Sequence, residues 1–196
     1  MPELIGLIAC GGMSRRMGTD KSLLNYRGMP QREYLCNLLK PLCSQVFLSC
    51  HAGQAVSLDT GCGVIADRES YAGIGPMACL LSALEQFPSA SFLLVGCDYP
   101  YVSTPDLVPL LASRKAAPAA CYRNPSTGYL EPLLAVYENS CFQALREKFQ
   151  KEEYSLRHFL GECNTRILEP SSPLFLTSID DAEGYEKAKK ALHPGF

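Results

Sequence analysis

Between Gly11 and Lys21 the chain reads GGMSRRMGTDK, placing three glycines (Gly11, Gly12, Gly18) and three permanent cations (Arg15, Arg16, Lys21) in one short segment. Glycines let a backbone approach a ligand closely and turn its N–H groups inward. Arginine and lysine match phosphate oxygens in charge and in donor geometry. Together these residues suit a nucleoside triphosphate, although such a loop taken alone also reads as a solvated basic turn. The Walker A pattern (Gly, four residues, then Gly-Lys-Ser/Thr) is absent. The dinucleotide pattern Gly-x-Gly-x-x-Gly does not occur between residues 4 and 22 either.

Two carboxylates leave apolar runs. Asp98 follows SFLLVGC (91–97), the most apolar run of the chain, and Pro100 prevents its simple continuation. An acidic residue in that place is either a turn or cap residue or a ligand for Mg²⁺. That hard cation takes oxygen ligands, typically one or two carboxylates plus substrate phosphates. A triphosphate loop on the neighbouring strand end favours the metal reading. Asp67 and Arg68 follow GVIA (63–66), and a loop bearing Gly73 and Gly75 then leads to Pro76, a favoured first helical residue. By composition this second segment reads as a surface turn with a helix start.

The elements that must position these residues alternate along the chain. Residues 4–10, 46–50, 63–66, 91–97, 118–121 and 130–137 read as strands, the last interrupted by Pro132. Residues 31–42 read as a helix, with Tyr34, Leu35, Leu38, Leu39 and Leu42 on one stripe. Residues 76–87 and 104–113 also read as helices, the latter with Thr104 as N-cap and Pro105 first. Residues 138–151 and 181–192 complete the helical set. This alternation predicts a three-layer α/β/α sandwich around a mostly parallel sheet. Ligands of open sheets of this kind bind beyond the carboxyl ends of the strands. The strands ending at Cys10 and Cys97 both lead to that edge.

Composition narrows the classes. With 196 residues, 47% of them hydrophobic, the chain is expected to form one domain over 1–196 with a substantial core of its own. A net charge of −2 gives no bulk attraction to nucleic acid or to an anionic membrane, so an anion site must be local. No apolar run approaches the ~20 residues needed to span a bilayer. MPELIGLIACGG lacks the basic start of a signal peptide. The expectation is a cytoplasmic protein. Ten cysteines are spread without a C-x-x-C pair, and the three histidines cluster with nothing, so the cysteines read as buried, reduced, small hydrophobes.

The full string GGMSRRMGTDKSLL resembles the G-G-x-S-x-R-M-G-x-D-K-x-L element that opens the MobA-like nucleotidyltransferases, the molybdenum cofactor guanylyltransferase family. CDYPYV is similar to that family's C-D-x-P element, and DRESYAGIGPMACLLSAL to its D-x…G-P-L-A-G-L-x-x-A-L stretch. The resemblance implies a nucleotide-diphospho-sugar-transferase-like (Rossmann-like) fold. It assigns the nucleotide to Ala9, Cys10, Gly11, Gly12, Lys21, His51, Asp67 and Asp98. Ala9 and Cys10 stand where the family reads L-A before the two glycines, and act there through the backbone. His51 stands where the family often has asparagine. Asp67 takes the place of the aspartate that contacts guanine, whose N1–H and 2-amino group a carboxylate can accept together. Lys21, Arg15, Arg16 and Asp98 become the catalytic set, with Mg²⁺ on Asp98.

Three further matches are looser. Glu131-Pro132-Leu133 resembles the family's acceptor side. Arg157, in YSLRHFL, is either an acceptor-phosphate ligand or a surface arginine. Ser178 and Asp180 replace two asparagines of the family, and Asp180 is either a second metal ligand or a helix N-cap. The resemblance implies GMP transfer from GTP to molybdopterin, bare or carrying molybdenum, with release of pyrophosphate. A cytidylyltransferase acting on the same cofactor and a non-catalytic nucleotide-binding adaptor of the same fold are the alternatives. The partners it implies are these two small molecules, transient contacts with other molybdenum cofactor biosynthesis proteins, and at most a weak homo-oligomer.

Overall fold

The fold is taken from a computed structural model, which describes residues 2–10, 20–55 and 61–193. Seven strands form one sheet: β1 (Leu4–Ala9), β2 (Gln45–Cys50), β3 (Gly63–Ala66), β4 (Ser91–Gly96), β5 (Ala119–Arg123), β6 (Leu130–Tyr137) and β7 (Thr165–Leu168). Their order is β3-β2-β1-β4-β6-β5-β7. Only β6 runs against its neighbours, so the sheet is mostly parallel, as the alternating pattern predicts. The chain winds outward from β1 to β3 and then crosses back to lay β4 on the other side of β1. That reversal makes a switch point between the carboxyl ends of β1 and β4.

β1 and β4 sit at the centre because their side chains are apolar on both faces, as buried parallel strands require. Ile5 and Leu7 of β1, with Phe92 and Leu94 of β4, join the core beneath α3 (Pro76–Gln86), α5 (Phe142–Gln150) and α6 (Leu156–Glu162). Leu4 and Ile8, with Leu93 and Val95, face α1 (Gln31–Leu39) and α4 (Thr104–Ala112). Gly6 lets α1 lie close, since a Cβ there would stand 3.2 Å from Leu39 Cδ1. A third, smaller cluster joins Leu24 and Tyr26 to Ile179 and to Ala188 of α7 (Ala182–Leu192). It docks the C-terminal helix on the segment that follows the basic loop. One short helix, α2 (Ala52–Ala55), follows β2. No helix among the described residues is long and apolar enough to cross a membrane.

Several local expectations are corrected. Pro132 does not interrupt β6: it lies outside the β4 ladder, which ends at Leu134, where a missing N–H costs nothing. The N-cap of α4 is Ser103, whose N–H and hydroxyl both donate to Asp106, and Thr104 is its first helical residue. The helix expected at 138–151 begins with a 3₁₀ turn and is α-helical over 142–150. β7 was not expected, because it is a short edge strand with little apolar content facing the core. The reduced-thiol reading holds for eight cysteines but not for Cys36 and Cys62, whose sulfurs are joined across 26 positions of sequence. That pairing follows from where α1 settles over the sheet, which cysteine spacing does not encode.

Candidate active site

The site is built at the switch point. Ala9, the last residue of β1, lies beside Gly96, and Cys10 N–H donates to Ser49 O at 2.8 Å. Gly11, Gly12, Arg15 and Arg16 lie outside the described residues. The chain re-enters at Asp20, whose carboxylate accepts the Ser22 N–H at 2.9 Å and caps a 3₁₀ turn over Lys21–Leu23. That cap fixes where the Lys21 side chain starts. Its Nζ reaches the carboxylate of Asp180, 159 residues away in sequence.

Asp98 leaves β4 with Oδ1 buried and without a hydrogen-bond partner. Its main-chain carbonyl accepts the Ile179 N–H at 2.8 Å, tying the strand end to the segment that carries Asp180. Burial pushes the Asp98 carboxyl up to about 6; Lys21 pulls it down, while Asp180 and Glu131 push it further up. Lys21, Asp180 and Glu131 all act on this carboxylate electrostatically. A buried carboxylate oxygen with no donor is costly unless a cation completes it. Its surroundings offer hard oxygen donors, the set that Mg²⁺ or Mn²⁺ prefers. Gly96 is required beneath it, because a Cβ there would overlap Asp98 Oδ1.

Asp180 is not a helix cap. The N-cap of α7 is Asp181, whose Oδ1 accepts the Gly184 N–H at 2.8 Å. Asp180 is held between Lys21 and the Ser178 hydroxyl, which donates at 3.1 Å.

Asp67 stands at the end of β3 on the same edge of the sheet. Its N–H donates to Cys50 O at 2.8 Å, and its Oδ2 lies 3.2 Å from His51 Nδ1. The other oxygen, Oδ1, is buried. Burial raises this carboxyl; His51 opposes the rise, and the Ser49 hydroxyl helps to hold the carboxyl down. Sequence reasoning assigned His51 to the nucleotide; the structure seats it on Asp67. Beyond them Gly75 adopts a positive φ of 69°, open to glycine, and so turns the chain into Pro76 and α3.

Sequence reasoning placed Glu131 on the acceptor side but missed the network it anchors. Glu131 is 6% exposed; its Oε2 accepts the Tyr99 hydroxyl at 2.8 Å and its Oε1 accepts Asn124 Nδ2 at 2.7 Å. Gln31 Nε2 donates to the Tyr99 carbonyl at 3.3 Å. A glutamate inside an otherwise apolar strand was the available signal for this network. Arg157 is exposed on α6: its Nε donates to Leu130 O, and its guanidinium lies 4.9 Å from the Tyr129 ring centre. The structure keeps it on the Glu131 side and does not join it to Asp98. Glu153, His158 and Glu162 also converge, but they are exposed and Lys148 already pairs with both glutamates.

A mostly parallel sheet with a buried carboxylate at its switch point, and a lysine following a glycine-rich basic segment, is an arrangement suited to a charged nucleotide. Residues 6–167 match the family described as MobA-like NTP transferase domain, and the chain belongs to that family. It is 31% identical over 93% of its length to a molybdenum cofactor biosynthesis bifunctional protein of Synechocystis, of which it spans 52%. It is 24% identical to a probable molybdenum cofactor guanylyltransferase of Bacillus mycoides, covering 98% of both chains. The solved structure of molybdopterin-guanine dinucleotide biosynthesis protein A from Archaeoglobus fulgidus superposes with a TM-score of 0.79. The two share 20% identity over 97% of this chain and 100% of that one, which is a likeness of fold.

Two outcomes test this geometry. Between the ordinary carboxylate value of 3.8 and about 6, the folded protein holds a proton on Asp98 that the unfolded chain releases. Stability of the metal-free protein therefore falls as pH rises through that window. Urea midpoints measured from pH 4 to 7 should show the fall, and Asp98→Asn should flatten it. Gly96→Ala should displace the Asp98 carboxylate and lower turnover by about 100-fold, with the far-ultraviolet circular dichroism spectrum unchanged.

Proposed function

We propose that this protein is a molybdenum cofactor guanylyltransferase, transferring GMP from GTP to the terminal phosphate of molybdopterin with release of pyrophosphate. The observation that carries this reading is the buried Asp98 Oδ1 without a partner, set at the same edge of the sheet as the buried Asp67 carboxylate. The two carboxylates flank the strand end that leads into the basic loop. The names of the relatives, two of them for molybdenum cofactor biosynthesis or guanylyl transfer, support the choice of acceptor.

Asp67 accepts the N1–H and 2-amino hydrogens of guanine, a donor pair that cytosine and adenine do not offer together. His51 holds the carboxylate for that contact. The N–H groups of Gly11 and Gly12, with Arg15, Arg16 and Lys21, take the triphosphate and the leaving pyrophosphate. Asp98 and Asp180 are the residues that would hold a divalent cation, and such an ion supplies neutralisation of charge at the α-phosphate. The attacking phosphate is already anionic, so the protein needs no strong general base. Its contribution is positioning and preorganised charge. Arg157, beside Glu131, meets the acceptor.

Lys21→Ala should lose about 100-fold in turnover, or ~3 kcal/mol of transition-state stabilisation, while folding normally. Near-normal pyrophosphate release by a folded Lys21→Ala protein would overturn the role given to this lysine. The substrate is decided by measuring pyrophosphate release with each of the four nucleoside triphosphates, molybdopterin and Mg²⁺. GTP should be preferred, and Asp67→Asn should erase the preference. A preference for CTP would overturn the guanine assignment, and GTP binding without pyrophosphate release would overturn the enzymatic one.

A further inference from the structure

Two thiols meet at the switch point. Cys10 Sγ and Cys97 Sγ lie 3.2 Å apart and both residues are buried. Each stands one position beyond its strand, where the β1–β4 ladder ends with Ala9 opposite Gly96. Cys97 N–H donates to Ala9 O at 3.1 Å, so the ladder geometry continues to these residues. Neighbouring strands run about 4.8 Å apart, and a disulfide accommodates Cα separations of roughly 4.4–6.8 Å.

We propose that Cys10 and Cys97 form a modification site, a dithiol that a hydroperoxide closes to a disulfide and a small dithiol reductant reopens. One thiol attacks the peroxide oxygen, giving a sulfenic acid and water. The other thiol attacks that sulfur, forms the S–S bond and expels a second water. Two electrons leave the sulfurs, the O–O bond is reduced, and both thiol protons end in water. Closure draws the sulfurs from 3.2 Å to about 2.05 Å. The pull falls on the two backbone positions that precede Gly11 and Asp98, the start of the basic loop and the buried carboxylate. Oxidation thereby misaligns both halves of the site through one bond.

The consequence for turnover rests on the guanylyl-transfer reading; the bond itself does not. The full chain, reduced and then treated with hydrogen peroxide, should lose about 4 Da, half of it for the Cys36–Cys62 bond that reduction also opens, and yield a cross-linked peptide pair containing Cys10 and Cys97 on non-reducing mass mapping. GTP-dependent pyrophosphate release should fall by about tenfold or more and return with dithiothreitol. Cys97→Ser, carried through the same cycle, should start within about twofold of the parent activity and resist peroxide, because one-thiol closure is impossible. Absence of the cross-link, or sulfinic acid at Cys10 in its place, would overturn the site. A cross-link with unchanged turnover, or peroxide inactivation that persists in Cys97→Ser, would overturn its link to activity. A reduced protein that forms the cross-link yet transfers no GMP would instead overturn the proposed function.

Discussion

Six residue pairs between β1 and β4, from Leu4 opposite Ser91 to Ala9 opposite Gly96, are the interaction on which the rest depends. This ladder joins the two most apolar strands and leaves no room for solvent on either face. Because the strands are parallel and in register, their carboxyl ends finish level with each other. The second residue beyond one begins the basic loop, and the second residue beyond the other is Asp98. Charge that would be expensive to gather in the interior is therefore delivered to a rim, where a charged ligand can compensate it. The two cores built on the faces of this ladder hold the rim still.

The rim is assembled from three directions. β2 and β3 bring His51 and Asp67 on one side, and the return from β4 brings Tyr99 against Glu131 of β6 on the other. The segment before α7 closes the top through two contacts: Ile179 N–H on the Asp98 carbonyl, and Asp180 on Lys21. The distribution of partners separates scaffold from site. Glu131 has both oxygens occupied by protein donors, whereas Asp98 keeps one buried oxygen unpaired. Filled carboxylates of that kind are structural, and unfilled ones point to something the protein binds.

Much of this was legible along the chain. Strand-length apolar runs and helical stripes located all but one strand and the principal helices, because burial on one or two faces imposes a period that survives in sequence. Asp98 and Lys21 were legible because each sits at a fixed offset from an element end. Glu131 was only half legible: a glutamate in an apolar strand is visible, but its partners Tyr99 and Asn124 come from other elements. Residues 165–168 escaped because an exposed edge strand of four residues carries little periodic burial. Arg157 stayed ambiguous, since an exposed helical arginine looks the same whether or not a ligand faces it.

The sequence alone determined the order of the elements, the composition of the basic loop and the two positions, Asp67 and Asp98, at which carboxylates leave the apolar framework near the sheet edge. Those are properties of neighbouring residues, set by local sterics and by which faces must be apolar. Tertiary structure decided who meets whom. It chose Asp181 rather than Asp180 as the α7 cap and so left Asp180 for Lys21. It placed His51 on Asp67, joined Cys36 to Cys62, and set Cys10 beside Cys97. The reason is physical: such contacts depend on strand order, on register and on the closeness of packed helices, which distant parts of the chain settle jointly when the core forms.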